Sequence, residues 1–325
     1  MSLPPSISRR TLLASSLALP AAGLVGACRP SVAPSNGQGP GAIAPSRLRE
    51  VVQIVDAQPF TEGAGVHLRR AIGTRALPML DPFLMLDEIK SRNPEDYVAG
   101  FPTHPHRGFE TVTIMLEGAM EHRDSLGNQG RLGPGTAQWM TAGHGILHSE
   151  MPKQVSGLFH GFQLWVNLPR ARKMMPPRYQ DIEAGRIPLL GVQDASVRLV
   201  AGAIGQAEGP VEGIVTAPHL LDVTLPPRGR YEHTLPSSHN AFAYVVEGDV
   251  RIGSSAARVT GGQLAVLERP GDRIRFASEG GGRLLLAAAQ PLNEPVARYG
   301  PFVMSTDEEL RQAVEDYRSG RLTVL

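Results

Sequence analysis

HPHRGFETVTIMLEG, from His104 to Gly118, sets two histidines one residue apart ahead of a β-branched and apolar run that a glycine closes. A second stretch, QWMTAGHGILHSEMP from Gln138 to Pro152, ends with His148 and Glu150 at the same spacing. Side chains two apart on an extended strand share a face, so each pair aims two ligand-type groups at one point. Both stretches are rich in Val, Ile, Thr, Met and Trp between glycines, the composition of strands and turns. Two such pairs on facing strands supply four ligands.

Working outward, further strand-like runs cover Thr136 to Thr141 and Phe159 to Val166, and LGNQGRLGPG (Leu126 to Gly135) reads as a tight hairpin. Asn167 to Pro188 breaks the pattern with prolines and charge and reads as a crossover between domains. Strand signals return at Leu220 to Leu225, Ala241 to Val246, Val250 to Ile252, Gln263 to Leu267 and Leu284 to Ala288. Tyr244-Val245-Val246-Glu247-Gly248 echoes Ile114-Met115-Leu116-Glu117-Gly118. The expected fold is mostly β, with two tandem barrels over residues 51–175 and 176–325. A short C-terminal helix should pack against a barrel: Thr306 can cap it with Glu309, Leu310, Ala313, Val314 and Tyr317 share a face, and Gly320 stops it.

The chain of 325 residues is long enough for two ordinary domains. Lys+Arg 32 against Asp+Glu 31 gives a net charge of +1, and loss of Arg9 and Arg10 with a leader would leave 30 against 31. Nothing in that balance points to nucleic acid.

Residues 1–28 read as a targeting segment. Arg9-Arg10 precede an apolar run from Leu12 to Val25, 14 residues against the roughly 20 that a membrane-spanning helix needs. The arginine pair resembles a twin-arginine export signal, and Val25-Gly26-Ala27-Cys28 resembles a lipobox. The plain alternatives are an ordinary basic leader and a small buried cysteine. On the first reading the protein is exported to the periplasm or cell envelope, and a lipid on Cys28 is its one membrane attachment. With one cysteine in the chain an intrachain disulfide is excluded. Residues 29–50, rich in Pro, Gly, Ser and Ala, should form a flexible linker.

Seven of the ten histidines fall between His67 and His160, which concentrates the chemistry in the first half. Three imidazoles and one carboxylate suit Fe(II), Mn(II), Ni(II), Co(II) or Cu(II) and leave positions open for water, dioxygen or a chelating substrate. A closed zinc site would more often use cysteines. Glu110 competes with Glu150, because it shares the face of His104 and His106 if the strand runs unbroken. Arg107 could hold an anion or a structural ion pair. His144 reads as a loop residue, and His122, Asp124 and Ser125 as a strand end. Phe101, Phe109, Met115 and Trp139 could wall an aromatic pocket, although packing is their default role.

These two stretches, together with DPFLMLDE (Asp81 to Glu88), WVNLP (Trp165 to Pro169) and PPRYQ (Pro176 to Gln180), resemble signatures of the pirin family. The similarity runs from about Val51 to the C-terminal helix and weakens after Gly191. It implies a bicupin of two jelly-roll barrels whose first barrel holds a metal through HxH and HxE, at His104, His106, His148 and Glu150. It places Glu110 beside the site, as an acceptor for an imidazole N–H. His233 and His239 form no such pair, so the second barrel is expected without metal. The implied metal is Fe(II) first, with Mn, Ni, Co, Cu or Zn compatible. The implied activity is quercetin 2,3-dioxygenase-like cleavage of a small aromatic substrate with O2, with Glu150 as the catalytic base, in a monomer. A non-enzymatic iron or redox sensor is the alternative that the same resemblance allows.

Overall fold

The computed structural model describes residues 46–154 and 156–324. The targeting segment, Cys28 and the linker up to Pro45 therefore lie outside the described residues. Residues 46–50, expected to end the linker, are held in the fold. Leu48 bridges to Arg273, and the buried Arg49 guanidinium donates to the carbonyls of Gly271, His239 and Pro236 at 2.7–2.8 Å.

The first barrel is built from two antiparallel sheets. The larger has seven strands in the order Arg178–Ile182, Ala137–Thr141, Phe109–Glu117, Phe159–Asn167, Phe83–Ser91, Val66–Ile72 and Gln58–Glu62. The smaller has four, in the order Phe101–His106, Ile146–Pro152, Met120–Asp124 and Gln129–Leu132. Two details depart from the sequence reading. The expected crossover contains the Arg178–Ile182 strand, which pairs with Ala137–Thr141. The glycine-rich Leu126 to Gly135 stretch carries a strand, Gln129–Leu132, between its turns.

The second barrel forms around the 13-residue strand Asn240–Ile252, which pairs with Gln263–Leu267 and Gly282–Ala289 and then turns to pair with Ala257–Thr260 and Arg273–Ala277. The expected runs Ala241 to Val246 and Val250 to Ile252 are thus one strand. Its interior is an apolar core of Val197, Leu221, Val223, Tyr231, Val250, Ile274 and Phe276.

Period-two alternation explains how the halves meet. On Phe109–Glu117, Val112, Ile114 and Leu116 face the second barrel, where they join Phe162, Leu164, Phe242, Tyr244, Leu285 and Ala287 in one core. Met115, on the opposite face, packs inside the first barrel. The strand is buried on both faces, which is why its sequence is nearly continuous in apolar and threonine side chains. Phe83 and Phe242 meet edge to face at 5.0 Å across this seam, and each fully buried side chain of this size contributes about 1.5–3 kcal/mol.

Chain ends are exchanged between the halves. Val51–Asp56 pairs with Gln263–Leu267 in the second sheet. The C-terminal segment lies on the first barrel, where Val303 packs among Leu84, Met85, Phe109 and Trp165. The buried Lys173 ammonium ties the segment down by donating to the carbonyls of Gly108 and Val303 and to Asn167 Oδ1, at 2.7–3.0 Å. The Asp307–Arg318 helix carries the expected capping box of Thr306 and Glu309 and buries Leu310 and Ala313. No helix among the described residues is long and apolar enough to cross a membrane.

Candidate metal centre

Strands Phe101–His106 and Ile146–Pro152 run antiparallel, with His148 directly opposite His104 and Ile146 opposite His106. Both histidine pairs keep their shared face, and three imidazoles converge. His104 Nε2 lies 3.0 Å from His106 Nε2 and 3.0 Å from His148 Nε2. Among the described residues, this is the one group of three or more His, Cys, Asp or Glu side chains whose ligand atoms all lie within 4.8 Å of one another.

The contacts on the far side of the rings fix what these nitrogens present. His104 Nδ1 donates to the Pro102 carbonyl at 2.9 Å, and His106 Nδ1 faces the Pro301 carbonyl at 3.4 Å. A carbonyl can only accept, so both Nδ1 atoms carry the proton and both Nε2 atoms turn lone pairs inward. Burial, with the neighbouring imidazoles adding to it, holds His106 and His148 well below the ordinary histidine pKa, so both are neutral at pH 7, the form that can bind a metal. Lone pairs 3.0 Å apart repel unless a cation lies between them. A metal with bonds of about 2.1 Å at right angles places its nitrogens about 3.0 Å apart, so this donor set fits a divalent transition ion.

Glu150 lies beside the trio, its Oε2 4.0 Å from His148 Nε2. A register shift between His148 and Glu150 offsets it from the His104 pairing. Gln163 Nε2 donates to Oε2 at 2.7 Å and Thr113 Oγ1 to Oε1 at 3.2 Å, which orients the buried carboxylate. Sequence reasoning missed both partners. The signal available for Gln163 was a glutamine in the apolar middle of the strand FHGFQLWVN, between Phe162 and Leu164.

Glu110 is a correction: it neither faces the trio nor accepts from an imidazole. Arg107-Gly108 interrupt the strand, with Gly108 at φ +87°, so Phe101–His106 and Phe109–Glu117 enter different sheets and the parity is lost. Glu110 accepts from Thr141 Oγ1 at 2.7 Å, and burial raises its pKa to about 7. Arg107 forms a structural ion pair with Asp316 at 2.7 Å. His144 sits buried in the turn before Ile146, where its carbonyl accepts from Arg107 Nε. His122 lies within Met120–Asp124, opposite Glu150, stacked on Tyr179 and bonded to Gln138. Asp124 accepts from the backbone N–H groups of Leu126 and Asn128 in the following turn, and Ser125 Oγ accepts from the Leu147 N–H of the neighbouring strand.

A cavity of about 500 Å³ opens over His104 and His106, walled by Phe101, Met85, Trp165 and Gln163 and rimmed by Arg70, Asp87, Glu62 and Arg298. Of the four expected wall residues, Phe101 lines it and Phe109 lies beneath His106 at 5.0 Å, whereas Met115 and Trp139 are core. In the second barrel, His233 Nε2 lies 3.4 Å from His219 Nδ1, and Tyr231 Oη bonds His233 Nδ1 at 3.0 Å. There His233 is bonded to Tyr231 and His219, His239 Nδ1 has no hydrogen-bond partner, and among the described residues no three ligand atoms lie within 4.8 Å of one another.

The family model described as Pirin matches residues 65–166, and the Pirin C-terminal cupin domain matches residues 220–323. The two barrels are cupin domains, and the fold is mostly β with one short C-terminal helix. A Pseudomonas aeruginosa protein provisionally named a quercetin 2,3-dioxygenase is 49% identical over 285 residues, 86% of this chain and 100% of that protein. Human pirin is 41% identical over 280 residues, 84% of this chain and 93% of that protein. A quercetin 2,3-dioxygenase crystal structure from Acinetobacter baumannii matches with TM-score 0.79 and 34% identity, over 85% of this chain and 98% of that one. A bacterial pirin from Escherichia coli, solved in complex with nickel(II), shares the fold at TM-score 0.58 and 21% identity, over 74% of this chain and 98% of that one. With both halves matched and relatives aligned over more than four-fifths of its length, the chain belongs to the pirin family.

Proposed function

We propose that this protein is a metal-dependent dioxygenase that opens a flavonol-like, quercetin-type aromatic substrate with O2, using Fe(II) held by His104, His106, His148 and Glu150. The observation that carries this reading is three converging imidazoles, of which His104 and His106 line a cavity shared with Phe101 and Trp165. When bound, the metal supplies Lewis acidity toward a substrate hydroxyl and the redox capacity that dioxygen chemistry requires. Phe101 offers an apolar surface for an aromatic ring, and Trp165, packed against Phe109 and Arg298, lines the same cavity. On this reading the Glu150 carboxylate, oriented by hydrogen bonds from Gln163 and Thr113, accepts the hydroxyl proton. Both atoms of O2 enter the opened product, and one ring carbon leaves as carbon monoxide.

Oxygen uptake and carbon monoxide release with a flavonol panel test this reading. His104→Ala and Glu150→Gln should each abolish turnover in a folded protein, and unchanged turnover in either contradicts it. The alternative reading is a non-enzymatic iron or redox sensor. It requires oxidation-state-dependent binding to an envelope protein under conditions where no product forms.

The targeting segment supports export by the twin-arginine route and lipidation at Cys28, in a monomeric protein. That route carries folded proteins, so the metal would be chosen before export. Replacing Arg9 and Arg10 with lysine should retain the tagged chain in the cytoplasm, and unchanged fractionation contradicts the proposal.

A further inference from the structure

The charged groups around the cavity do not cancel in pairs. Arg70 donates through two nitrogens to Asp87, at 2.7 Å each, and also reaches Glu62 at 3.0 Å, so one cation satisfies two carboxylates. Arg298, from the exchanged C-terminal segment, stands differently. Its guanidinium lies 4.7 Å from the centre of the Trp165 ring, with Nη1 donating to the Leu84 carbonyl at 3.2 Å and Nη2 3.8 Å from Met85 Sδ. Among the described residues no carboxylate oxygen lies within 4.0 Å of it. Neutral partners on three sides thus hold a cation in place while leaving its remaining N–H donors free at the cavity that His104 and His106 line.

Formal charge says what those donors want. Two arginines and two carboxylates on the cavity rim sum to zero. A divalent metal with one carboxylate ligand leaves +1, and a monoanion completes the balance.

We propose that the substrate is an aromatic ligand carrying a second, ionised oxygen (phenolate or carboxylate) besides the hydroxyl that gives its proton to Glu150, and that Arg298 is the specificity-determining residue that receives this anionic oxygen. The proposal rests on the metal-centre reading above. Trp165 holds the guanidinium over its ring and both residues line the same cavity, so Arg298 stands beside a ring bound there.

Salicylate and salicylamide have nearly the same shape and differ in charge. Their affinities for the nickel(II)-loaded full chain, measured by calorimetry in the wild type, Arg298→Lys and Arg298→Gln, test the proposal. The ratio of the two affinities should fall about tenfold in Arg298→Gln and less than threefold in Arg298→Lys, with metal content unchanged. For flavonol turnover, Arg298→Gln should raise KM at least tenfold while kcat changes less than threefold. An unchanged salicylate-to-salicylamide ratio in Arg298→Gln overturns the proposal and leaves the metal centre standing, as does an equal loss of both affinities, which means that Arg298 only props Trp165. Failure of the wild type to take up metal overturns the metal-centre reading instead. The same ratio measured on that metal-free chain then decides for or against Arg298 by the same criterion.

Discussion

The Pro301 carbonyl faces Nδ1 of His106 at 3.4 Å, although the two residues are 195 positions apart in the chain. A candidate metal ligand of the first barrel is thus oriented by the segment that returns from the second. Such outer contacts fix the ring and its tautomer, and their loss typically costs a metal site 10–100-fold in affinity.

Gly108 is one place where that return segment packs tightly against the first barrel. A Cβ there would lie 2.0 Å from the Val303 carbonyl, on a backbone with φ +87° that side chains rarely adopt. Gly108→Ala should cost on the order of 3 kcal/mol and weaken metal binding through His106. Denaturant unfolding and metal titration check both, and an unchanged midpoint contradicts the packing described.

Gln163 acts on the metal centre through Glu150. Gln163→Leu removes the 2.7 Å hydrogen bond to Oε2 and should lower metal affinity about tenfold with little effect on the fold. Competition against a chelator measures this. Undiminished affinity would mean that the Glu150 orientation is irrelevant to the metal.

Glu110 gives a pH signature unrelated to catalysis. Its folded pKa is raised to about 7 from 4.5 by burial, so the folded state binds more protons than the unfolded state between these values. Its contribution is therefore present below about pH 4.5 and lost as pH rises through 7. Glu110→Gln should accordingly stabilise the protein at pH 8, by up to roughly 3 kcal/mol, relative to its effect at pH 5. Thermal unfolding of both proteins at the two pH values checks the sign.

Metal removal should expose the opposite dependence. His106 and His148 titrate below their ordinary value in the fold, so the unfolded state takes up protons first as pH falls below about 6.5. The metal-free protein should lose stability through that range, whereas saturating metal raises the melting temperature and moves the loss to lower pH. Coincident curves with and without metal contradict the assignment.

How much of this was legible in the sequence depended on the range of the interaction. The His104/His106 and His148/Glu150 pairs and the Thr306/Glu309 cap follow local periodicity and could be read directly. Glu110 could not be placed, because its face depended on whether Arg107-Gly108 continued a strand or broke it. The roles of Gln163, Pro301 and Arg298 depend on long-range register, and so does the exchange of Val51–Asp56 into the second sheet. No local pattern in those segments records their partners.

The most direct test is a crystal structure of the metal-loaded chain with anomalous scattering recorded at the edge of the added metal. One peak within about 2.3 Å of the Nε2 atoms of His104, His106 and His148 is the expected result. A peak elsewhere, or three imidazoles that stay bonded to other groups with no ion between them, would contradict it.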